Sequence, residues 1–216
     1  MPRWLAPFSC SGPCKRVGLR RWMAALPPLL LDEPDSMQLP DLRYTLCFLT
    51  RGNDILMLKR NHPPNQGLWN GVGGKIGRGE SPVDACLREV WEETGFRLSS
   101  LHFHGILTWE GYETPAGGLY IFSASAPDRA LFTTAEGELR WQPKAWVFSS
   151  PEVVDNIHIF GPTIYTPRAP RWWHFRYRGR AIERWDERSL PLWVRLGGHQ
   201  ACCRFSGPGR DLSHSI

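Results

Sequence analysis

The sequence predicts an α/β fold, in which several β-strands surround one clearly bounded helix. Three observations predict it. Residues 81–95 carry helix start and stop signals, residues 43–50 and 55–59 are rich in β-forming side chains around a turn, and aromatic residues alternate along 172–177. Hydrophobic residues make up 42% of the 216 residues, which suits one packed domain with some surplus.

The first two strands are expected to pair as a hairpin. Residues 43–50 read RYTLCFLT, which is typical of a buried strand, and residues 55–59 return after the turn Gly52-Asn53-Asp54. A loop with two prolines, residues 61–69, follows them. The hairpin therefore leads directly into Asn70 and a glycine-rich loop.

The helix is bounded by specific residues. Ser81 is a good N-cap, Pro82 suits the first turn, and Asp84 has the spacing of a capping box. Gly95 is placed to end the helix in a left-handed conformation.

Two faces of this helix differ in chemistry. Helical spacing places four apolar residues on one face: Val83, Leu87, Val90 and Trp91. Glu89, Glu92 and Glu93 share another face, where three close carboxylates repel one another. From spacing alone, this face is either a solvated acidic surface near Arg88 and Lys75 or a site for a hard divalent cation.

The second half of the chain predicts further strands and one short helix. Residues 101–109 and 119–124 are strands, 139–148 are one or two strands broken at Pro143, and 153–165 are a short helix. Next, Trp173, Phe175 and Tyr177 alternate with Trp172, His174 and Arg176 along a strand that returns over residues 181–185. Core packing is the favoured interpretation of these aromatic residues, over a stacking surface.

The two ends of the chain are expected to lie outside the domain, which we place at residues 37–185. Residues 1–36 have no sustained period, and Met37 stands in frame just before the first strand. We therefore expect a disordered extension or an early start codon there, and a mobile tail at 186–216.

Charge and cysteine usage limit the classes of partner. The net charge of +5 comes from arginines near the two ends, while the middle is balanced. This distribution argues against a stable nucleic-acid partner, although a basic rim attracts polyanionic small molecules. The six cysteines form no zinc-type pairing, which indicates reduced thiols and a cytoplasmic setting. The longest apolar run, near 23–31, is too short to cross a membrane.

The glycine-rich loop and the helix together resemble the Nudix box. Every defined position matches: Gly74, five residues, Glu80, seven residues, Arg88-Glu89-Val90, one residue, Glu92-Glu93, one residue, Gly95-Phe96. The resemblance implies an α/β/α sandwich with a mixed central sheet. It also implies hydrolysis of a nucleoside diphosphate derivative that depends on Mg²⁺, with Mn²⁺ as a substitute.

The same resemblance implies residue roles. The expected metal site comprises Gly74, Glu80, Glu89, Glu92, Glu93 and Glu136. Glu89 is a further ligand or the group that activates water, and Arg88 orients Glu89 or the loop. Glu136 is proposed because it precedes the strand that bears Trp141; Glu138 is the alternate, and an exposed loop acid is the competing interpretation.

Further stretches resemble the MutT-homologue group, which hydrolyses oxidised purine nucleoside triphosphates. They are residues 43–46, 67–75 and 174–177. The resemblance implies conversion of 8-oxo-dGTP or its relatives to the monophosphate and pyrophosphate. The implied substrate-binding residues are Thr45, Asn70, Gly73, Lys75, Asn156 and His158. Asp155, Asn156 and His158 replace a tandem-acid pattern here, so the base preference stays open.

Two other functions remain open at this point. One is a Nudix enzyme for ADP-ribose or a dinucleoside polyphosphate, against which the run 69–75 speaks. The other is a non-catalytic nucleotide- or RNA-binding Nudix domain. The complete set of Glu89, Glu92 and Glu93 speaks against it, because a binding domain loses little by dropping these ligands.

Overall fold

The structure is a computed structural model that describes residues 41–128, 137–191 and 194. The predicted extension at 1–36, Glu136 and most of the predicted tail lie outside these residues. The part of the tail that is described, however, contradicts the predicted boundary at residue 185. The last strand continues to Ser189, because residues 186–189 keep their pairing with the neighbouring strand.

Eight strands and three short or medium helices form the described fold. The strands are β1 (Leu42–Arg51), β2 (Asp54–Arg60), β3 (Trp69–Asn70), β4 (His102–Glu110), β5 (Gly117–Ser125), β6 (Gly137–Pro143), β7 (Arg171–Arg178) and β8 (Ala181–Ser189). The helices are α1 (Pro82–Thr94), α2 (Lys144–Val147) and α3 (Ile157–Phe160), followed by a 3₁₀ turn at Gly161–Tyr165.

The strands form one mixed sheet, in the order β3-β2-β1-β5-β4-β7-β8, with β6 paired to β2. The pairs β1–β5 and β4–β7 are parallel, whereas the hairpins β1–β2, β4–β5 and β7–β8 are antiparallel. The predicted α/β class with a mixed sheet is confirmed.

Alternation along the central strands separates two hydrophobic layers. Leu46 and Phe48 of β1 pack with the α3 residues Ile157 and Phe160 on one face of the sheet. On the other face, Cys47 of β1 packs with residues of α1, among them Cys86 and Val90. The sheet is therefore covered on both sides, as a sandwich requires.

The predicted ends of α1 are confirmed. The backbone N–H of Asp84 donates to Ser81 Oγ at 3.1 Å, and the Ser81 hydroxyl donates to Asp84 Oδ2 at 2.5 Å. Gly95 has φ 72° and its N–H donates to the Trp91 carbonyl at 2.8 Å. These caps satisfy backbone groups that would otherwise lack partners at both ends.

The predicted apolar face of α1 is partly wrong. Its buried residues are Ala85, Cys86, Val90, Glu93 and Thr94, whereas Trp91 is 46% exposed. The small residues Ala85 and Cys86 let the helix approach the sheet closely. With this face against the sheet, Trp91 points to solvent. Its ring instead lies under the guanidinium of Arg97, 5.0 Å from the ring centroid.

Two later predictions have different outcomes. The interpretation of 139–148 as strand alone is wrong beyond Pro143, because Pro143 ends β6 and the chain then turns into α2. Core packing is confirmed for the alternating set, since Trp173, Phe175 and Tyr177 are all buried in the layer that contains α3. In the described parts of the chain, no helix is long and apolar enough to span a membrane.

Candidate active site

One cleft of about 860 Å³ opens between the glycine-rich loop, β1, β4 and the segment before α3. Its lining includes two sets of polar residues, which we call the glutamate side and the amide side. The glutamate side consists of Gly73, Gly74, Lys75, Glu89 and Glu93, and the amide side consists of Thr45, Asn70, Asp155, Asn156 and Tyr177. The rest of the lining includes apolar residues, among them Leu107, Leu119 and Val153, and further charged residues, among them Arg60 and Arg180.

The glycines of the loop allow it to touch both the sheet and α1. Gly73 has φ 140°, and a Cβ there would lie 2.4 Å from the Thr45 carbonyl oxygen. A Cβ on Gly74 would lie 2.5 Å from the carboxylate of Glu89. Any side chain at these two positions would push the loop away from the carboxylates.

Glu93 faces inward from α1, and the residue is 5% exposed. Its Oε2 accepts the backbone N–H of Gly73 at 2.8 Å. This bond fixes the end of the loop to the helix. The donor and the acceptor are 20 residues apart in the sequence, and α1 brings Glu93 back to the loop.

Arg88 ties the remaining carboxylates together. Its guanidinium donates to both oxygens of Glu80 at 2.9 and 2.8 Å, and to Glu89 and Glu92 at 2.9 Å each. It also donates to the Lys75 carbonyl at 3.1 Å. Arg88 therefore offsets the repulsion between the carboxylates in this structure.

The pKa values of two of these carboxyl groups are shifted in opposite directions. The hydrogen bonds from Arg88 hold the pKa of Glu80 below its usual value. For Glu89, burial outweighs the effect of Arg88 and raises the pKa above the usual value. Glu89 is thus the more basic of the two carboxylates.

The structure does not bring all predicted metal ligands into the cleft. Glu89 and Glu93 line it, but Glu80 and Glu92 do not. Glu80 is held by Arg88 and by the N–H of Gly77, while the side chain of Glu92 is 47% exposed. Within the described ranges, no three His, Cys, Asp or Glu side chains are placed so that they could hold a metal ion together.

The donor chemistry nevertheless fits a hard divalent cation. All the candidate ligands offer oxygen, which Mg²⁺ prefers. Gly74 leaves room for the Glu89 carboxylate beside the loop, and its own carbonyl accepts the Thr45 N–H at 2.9 Å. Arg88 bonds to three carboxylates here, so a cation would compete with Arg88 for them.

The second acidic candidate region is described only in part. Glu136 lies outside the described residues. Glu138 is part of β6, pairs with the side chain of Arg140, and does not line the cleft. The role predicted for Glu136 stays a prediction.

On the amide side, two segments distant in sequence run next to each other. The Trp69 N–H donates to the Glu152 carbonyl at 2.8 Å, and the Val154 N–H donates to the Trp69 carbonyl at 3.0 Å. The residues that follow, Asn70 and Asp155, therefore both reach the cleft. The Asn70 Oδ1 accepts the Gly71 N–H at 2.9 Å, which leaves its amide nitrogen as a donor.

Asp155, Asn156 and Tyr177 form a hydrogen-bonded group. The Asn156 amide nitrogen donates to the Tyr177 hydroxyl at 3.1 Å, and that hydroxyl donates to Asp155 Oδ1 at 3.4 Å. The backbone N–H of Asn156 also donates to Asp155 Oδ1, at 2.7 Å. Burial raises the pKa of Asp155 despite these donors.

Thr45 has an unusual environment in this cleft. The residue is 3% exposed, and none of the described residues bonds to its Oγ1 with normal geometry, although the weakly polar thiol of Cys86 lies beside it. A buried hydroxyl without a partner is costly. A ligand in the cleft could supply the missing partner.

His158 was predicted to bind substrate, but the structure places it outside the cleft lining, so its role stays a prediction. His158 does not line the cleft, because its Nε2–H donates to the Ser150 carbonyl at 3.0 Å and turns the ring away. Asp155 and Tyr177 line the cleft instead. The tandem position of Asp155 beside Asn156 was a usable signal, but the alternating aromatic pattern indicated only that Tyr177 is buried.

Comparison with known proteins extends these observations. The family model of the NUDIX domain matches residues 41–160. An oxidized purine nucleoside triphosphate hydrolase of Mus musculus is 34% identical over 96 residues, which cover 44% of this chain and 60% of that protein. The match thus spans less than two thirds of the mouse protein.

Two bacterial proteins match more of their own length. An uncharacterized Nudix hydrolase of Bacillus subtilis (strain 168) is 36% identical over 122 residues, covering 54% of this chain and 75% of that protein. The crystal structure of a mutator MutT protein from Bacillus halodurans superposes with a TM-score of 0.58 and 26% identity, covering 67% of this chain and 96% of that chain.

Proposed function

Because this chain belongs to the Nudix hydrolase family, we propose that it hydrolyses oxidised purine nucleoside triphosphates, such as 8-oxo-dGTP, to the monophosphate and pyrophosphate. The observation that carries this proposal is the composition of one cleft. It combines the box glutamates Glu89 and Glu93 with an amide side that offers hydrogen bonds to a base, and with apolar lining residues. The activity in the name of the mouse relative supports the same substrate class.

The glutamate side supplies the groups for the phosphate chain. Nudix hydrolases use divalent cations, and we propose Mg²⁺, with Mn²⁺ able to substitute. Glu92 and Glu93 would hold it, with Glu80, Glu136 and the Gly74 carbonyl as further candidates. When bound, it supplies positive charge that neutralises the phosphate oxygens and stabilises the leaving pyrophosphate.

Glu89 is the group we assign to orient and deprotonate the attacking water. Burial raises its pKa, which makes the ionised carboxylate a better proton acceptor. Arg88 holds it in place from behind the cleft. The water oxygen forms a new bond to phosphorus, Glu89 takes the proton, and a P–O bond of the bridge between the monophosphate and the pyrophosphate breaks. Lys75, at the same side of the cleft, attracts the polyanionic substrate.

The amide side supplies base recognition. Asn70 offers an amide donor, and Asp155 and Asn156 offer oxygen atoms, while Leu107, Leu119 and Val153 provide an apolar surface for a purine ring. Both polarities of hydrogen bond are therefore available in one pocket. This is what a purine edge requires, because it carries donors and acceptors side by side.

The C-terminal arginines favour a small substrate over a nucleic acid. Most of those in 168–188 are paired with carboxylates, for example Arg171 with Glu187, Arg176 with Glu110 and Arg180 with Glu113. Paired arginines offer little free charge to a phosphate backbone. We therefore propose nucleotide-pool sanitation in the cytoplasm, which also suits the free thiols of Cys47 and Cys86.

The testing experiment is steady-state hydrolysis of 8-oxo-dGTP, dGTP, 2-hydroxy-dATP and ADP-ribose with Mg²⁺. Pyrophosphate and phosphate are measured separately. We expect a marked preference for an oxidised purine, with pyrophosphate released and activity abolished by a chelator. Preference for ADP-ribose, or equal rates with all four, would overturn the substrate assignment, and no hydrolysis would favour a binding domain.

A further inference from the structure

The hydroxyl of Tyr177 is a junction between two side chains of the amide side. It accepts the amide N–H of Asn156 at 3.1 Å and donates to Asp155 Oδ1 at 3.4 Å. All three side chains line the cleft. The ring of Tyr177 packs edge-on against the ring of Tyr112, with the two ring centroids 4.9 Å apart. The Tyr112 hydroxyl in turn donates to Asn65 Oδ1 at 2.7 Å. The position of the junction is therefore fixed by packing.

A tyrosine hydroxyl has one proton, so this pair of bonds has a direction. Burial raises the pKa of Tyr177, which keeps the proton on the hydroxyl at neutral pH. Since the proton points at Asp155, Asn156 must present its amide nitrogen to Tyr177 and not its oxygen. None of the described residues bonds to Asn156 Oδ1, which remains free for a ligand.

We propose that the Tyr177 hydroxyl determines base selectivity by locking the Asn156 amide so that its oxygen, beside the Asp155 carboxylate, accepts hydrogen bonds from the substrate. This inference rests on the proposed function and makes its substrate class narrower. Two neighbouring acceptors match a guanine-type edge, where N1–H and the N2 amino group are adjacent donors. An adenine-type edge presents its unprotonated N1 as an acceptor, which would face another acceptor.

Tyr177 is thus a positioning residue that acts through Asn156. Without its hydroxyl, the amide of Asn156 can rotate and present its nitrogen to the cleft. The pocket would then accept an adenine-type edge more readily. The chemistry of the glutamate side should be unaffected, because the hydroxyl of Tyr177 bonds to Asn156 and Asp155 on the amide side.

The test compares 8-oxo-dGTP with 8-oxo-dATP, which share the oxidised ring edge and differ in the edge that Asn156 would read. Values of kcat/KM are measured for the wild type, Tyr177→Phe, Asn156→Ala and the double variant. Binding of 8-oxo-dGMP and 8-oxo-dAMP is measured by calorimetry with a chelator present, which gives a readout independent of turnover. Tyr165→Phe is the matched control, since it removes a buried hydroxyl that has no hydrogen-bond partner and lies outside the cleft lining.

We expect the wild type to prefer the guanine-type nucleotide, and Tyr177→Phe to reduce that preference by about fivefold, the scale of one hydrogen bond. The loss should be in KM and in product binding, with kcat for 8-oxo-dGTP kept. In the Asn156→Ala background, Tyr177→Phe should cause no further change in preference, because the amide it positions is gone.

Three results would overturn the inference. Equal loss with both nucleotides would mean that Tyr177 is merely structural, and an unchanged preference would mean that its hydroxyl is not involved. A full effect of Tyr177→Phe in the Asn156→Ala background would remove Asn156 from the explanation. If the wild type does not favour oxidised purines at all, the proposed function itself fails, which these variants are not needed to show.

Discussion

The glutamate side and the amide side of the cleft are assembled in different ways. The glutamate side comes from one continuous stretch, from Gly73 to Glu93, in which a loop and a helix place the groups by local geometry. The amide side combines Asn70, Asp155, Asn156 and Tyr177, which come from β3, the turn before α3, and β7. Local chemistry therefore builds the reactive groups, while the sheet topology builds the recognition groups.

The two sides also differ in how they are held. At the glutamate side, Arg88 holds the carboxylate of Glu89 together with those of Glu80 and Glu92, which lie outside the cleft lining, and the Gly73 N–H holds Glu93. The amide side is held by neutral or partly charged hydrogen bonds around the Tyr177 hydroxyl. We expect substitutions on the glutamate side to lower kcat, and substitutions on the amide side to change KM and selectivity.

The largest effect is expected for Glu93→Gln. The amide can still accept the Gly73 N–H, so the fold should persist, but the charge needed at the phosphate site is lost. We expect kcat to fall by about 10²-fold or more, with only a small shift in Tm. Steady-state kinetics and thermal unfolding check both parts.

Glu183→Gln is the matched control, because Glu183 of β8 pairs with Arg178 of β7 and does not line the cleft. It should retain wild-type turnover. Near-normal activity of the Glu93 variant would remove Glu93 from the metal site.

A smaller loss is expected for Gly74→Ala. The added Cβ would meet the Glu89 carboxylate at 2.5 Å and displace either the loop or the carboxylate. Displacement of a reacting group by about 1 Å can cost up to about 10²-fold, so we expect a ten- to hundredfold fall in kcat.

Gly52→Ala separates this clash from backbone strain. A Cβ there meets nothing within 4 Å, but φ is +58°. That variant should lose about 1 kcal/mol of stability and keep its activity. If Gly74→Ala keeps full activity, the close approach of the loop to Glu89 has no catalytic importance.

On the amide side, Asn70→Ala should raise KM for the preferred purine by about five- to tenfold and leave kcat within twofold. The reason is the loss of one amide donor that faces the cleft. Asn53→Ala, in the β1–β2 turn, is the control. An equal fall in kcat would mean that Asn70 supports the loop before the box and does not contact the base.

The smallest effect on activity is expected for His104→Gln, which tests the scaffold away from both sides. Burial lowers the pKa of His104 from 6.5 to about 3, and its ring bonds to Ser123 at 2.7 Å. Between pH 6.5 and pH 3, His104 is therefore protonated in the unfolded chain and neutral in the folded chain. The stability that neutral His104 contributes is present above pH 6.5 and is lost as pH falls towards 3.

At pH 5 the wild type should have lost about 2 kcal/mol relative to the His104→Gln variant, compared with their difference at pH 7.5. Thermal or urea unfolding at the two pH values measures this, and the exposed His62, in the loop after β2, gives the control variant His62→Gln. A similar pH dependence in wild type and His104→Gln would show that His104 can accept a proton in the folded protein. The same measurements show how much of any loss of activity at low pH is caused by unfolding.

By itself, the sequence determined the main helix, most of the strands and the family. Ser81 and Gly95 set the ends of α1 because capping bonds join residues a few positions apart. The spacing of Gly74, Glu80 and the glutamates of α1 is equally local, and it identified the reactive part of the cleft before any tertiary contact was known.

Only the tertiary structure decided how these elements face one another. Rotation of α1 on the sheet buried Glu93 and exposed Trp91, although both lie on one helix with the same periodicity. His158 turned to the Ser150 carbonyl, while Tyr177 met Asn156 and Asp155 across the sheet. Such contacts depend on the packing of segments far apart in the chain, which local spacing does not encode.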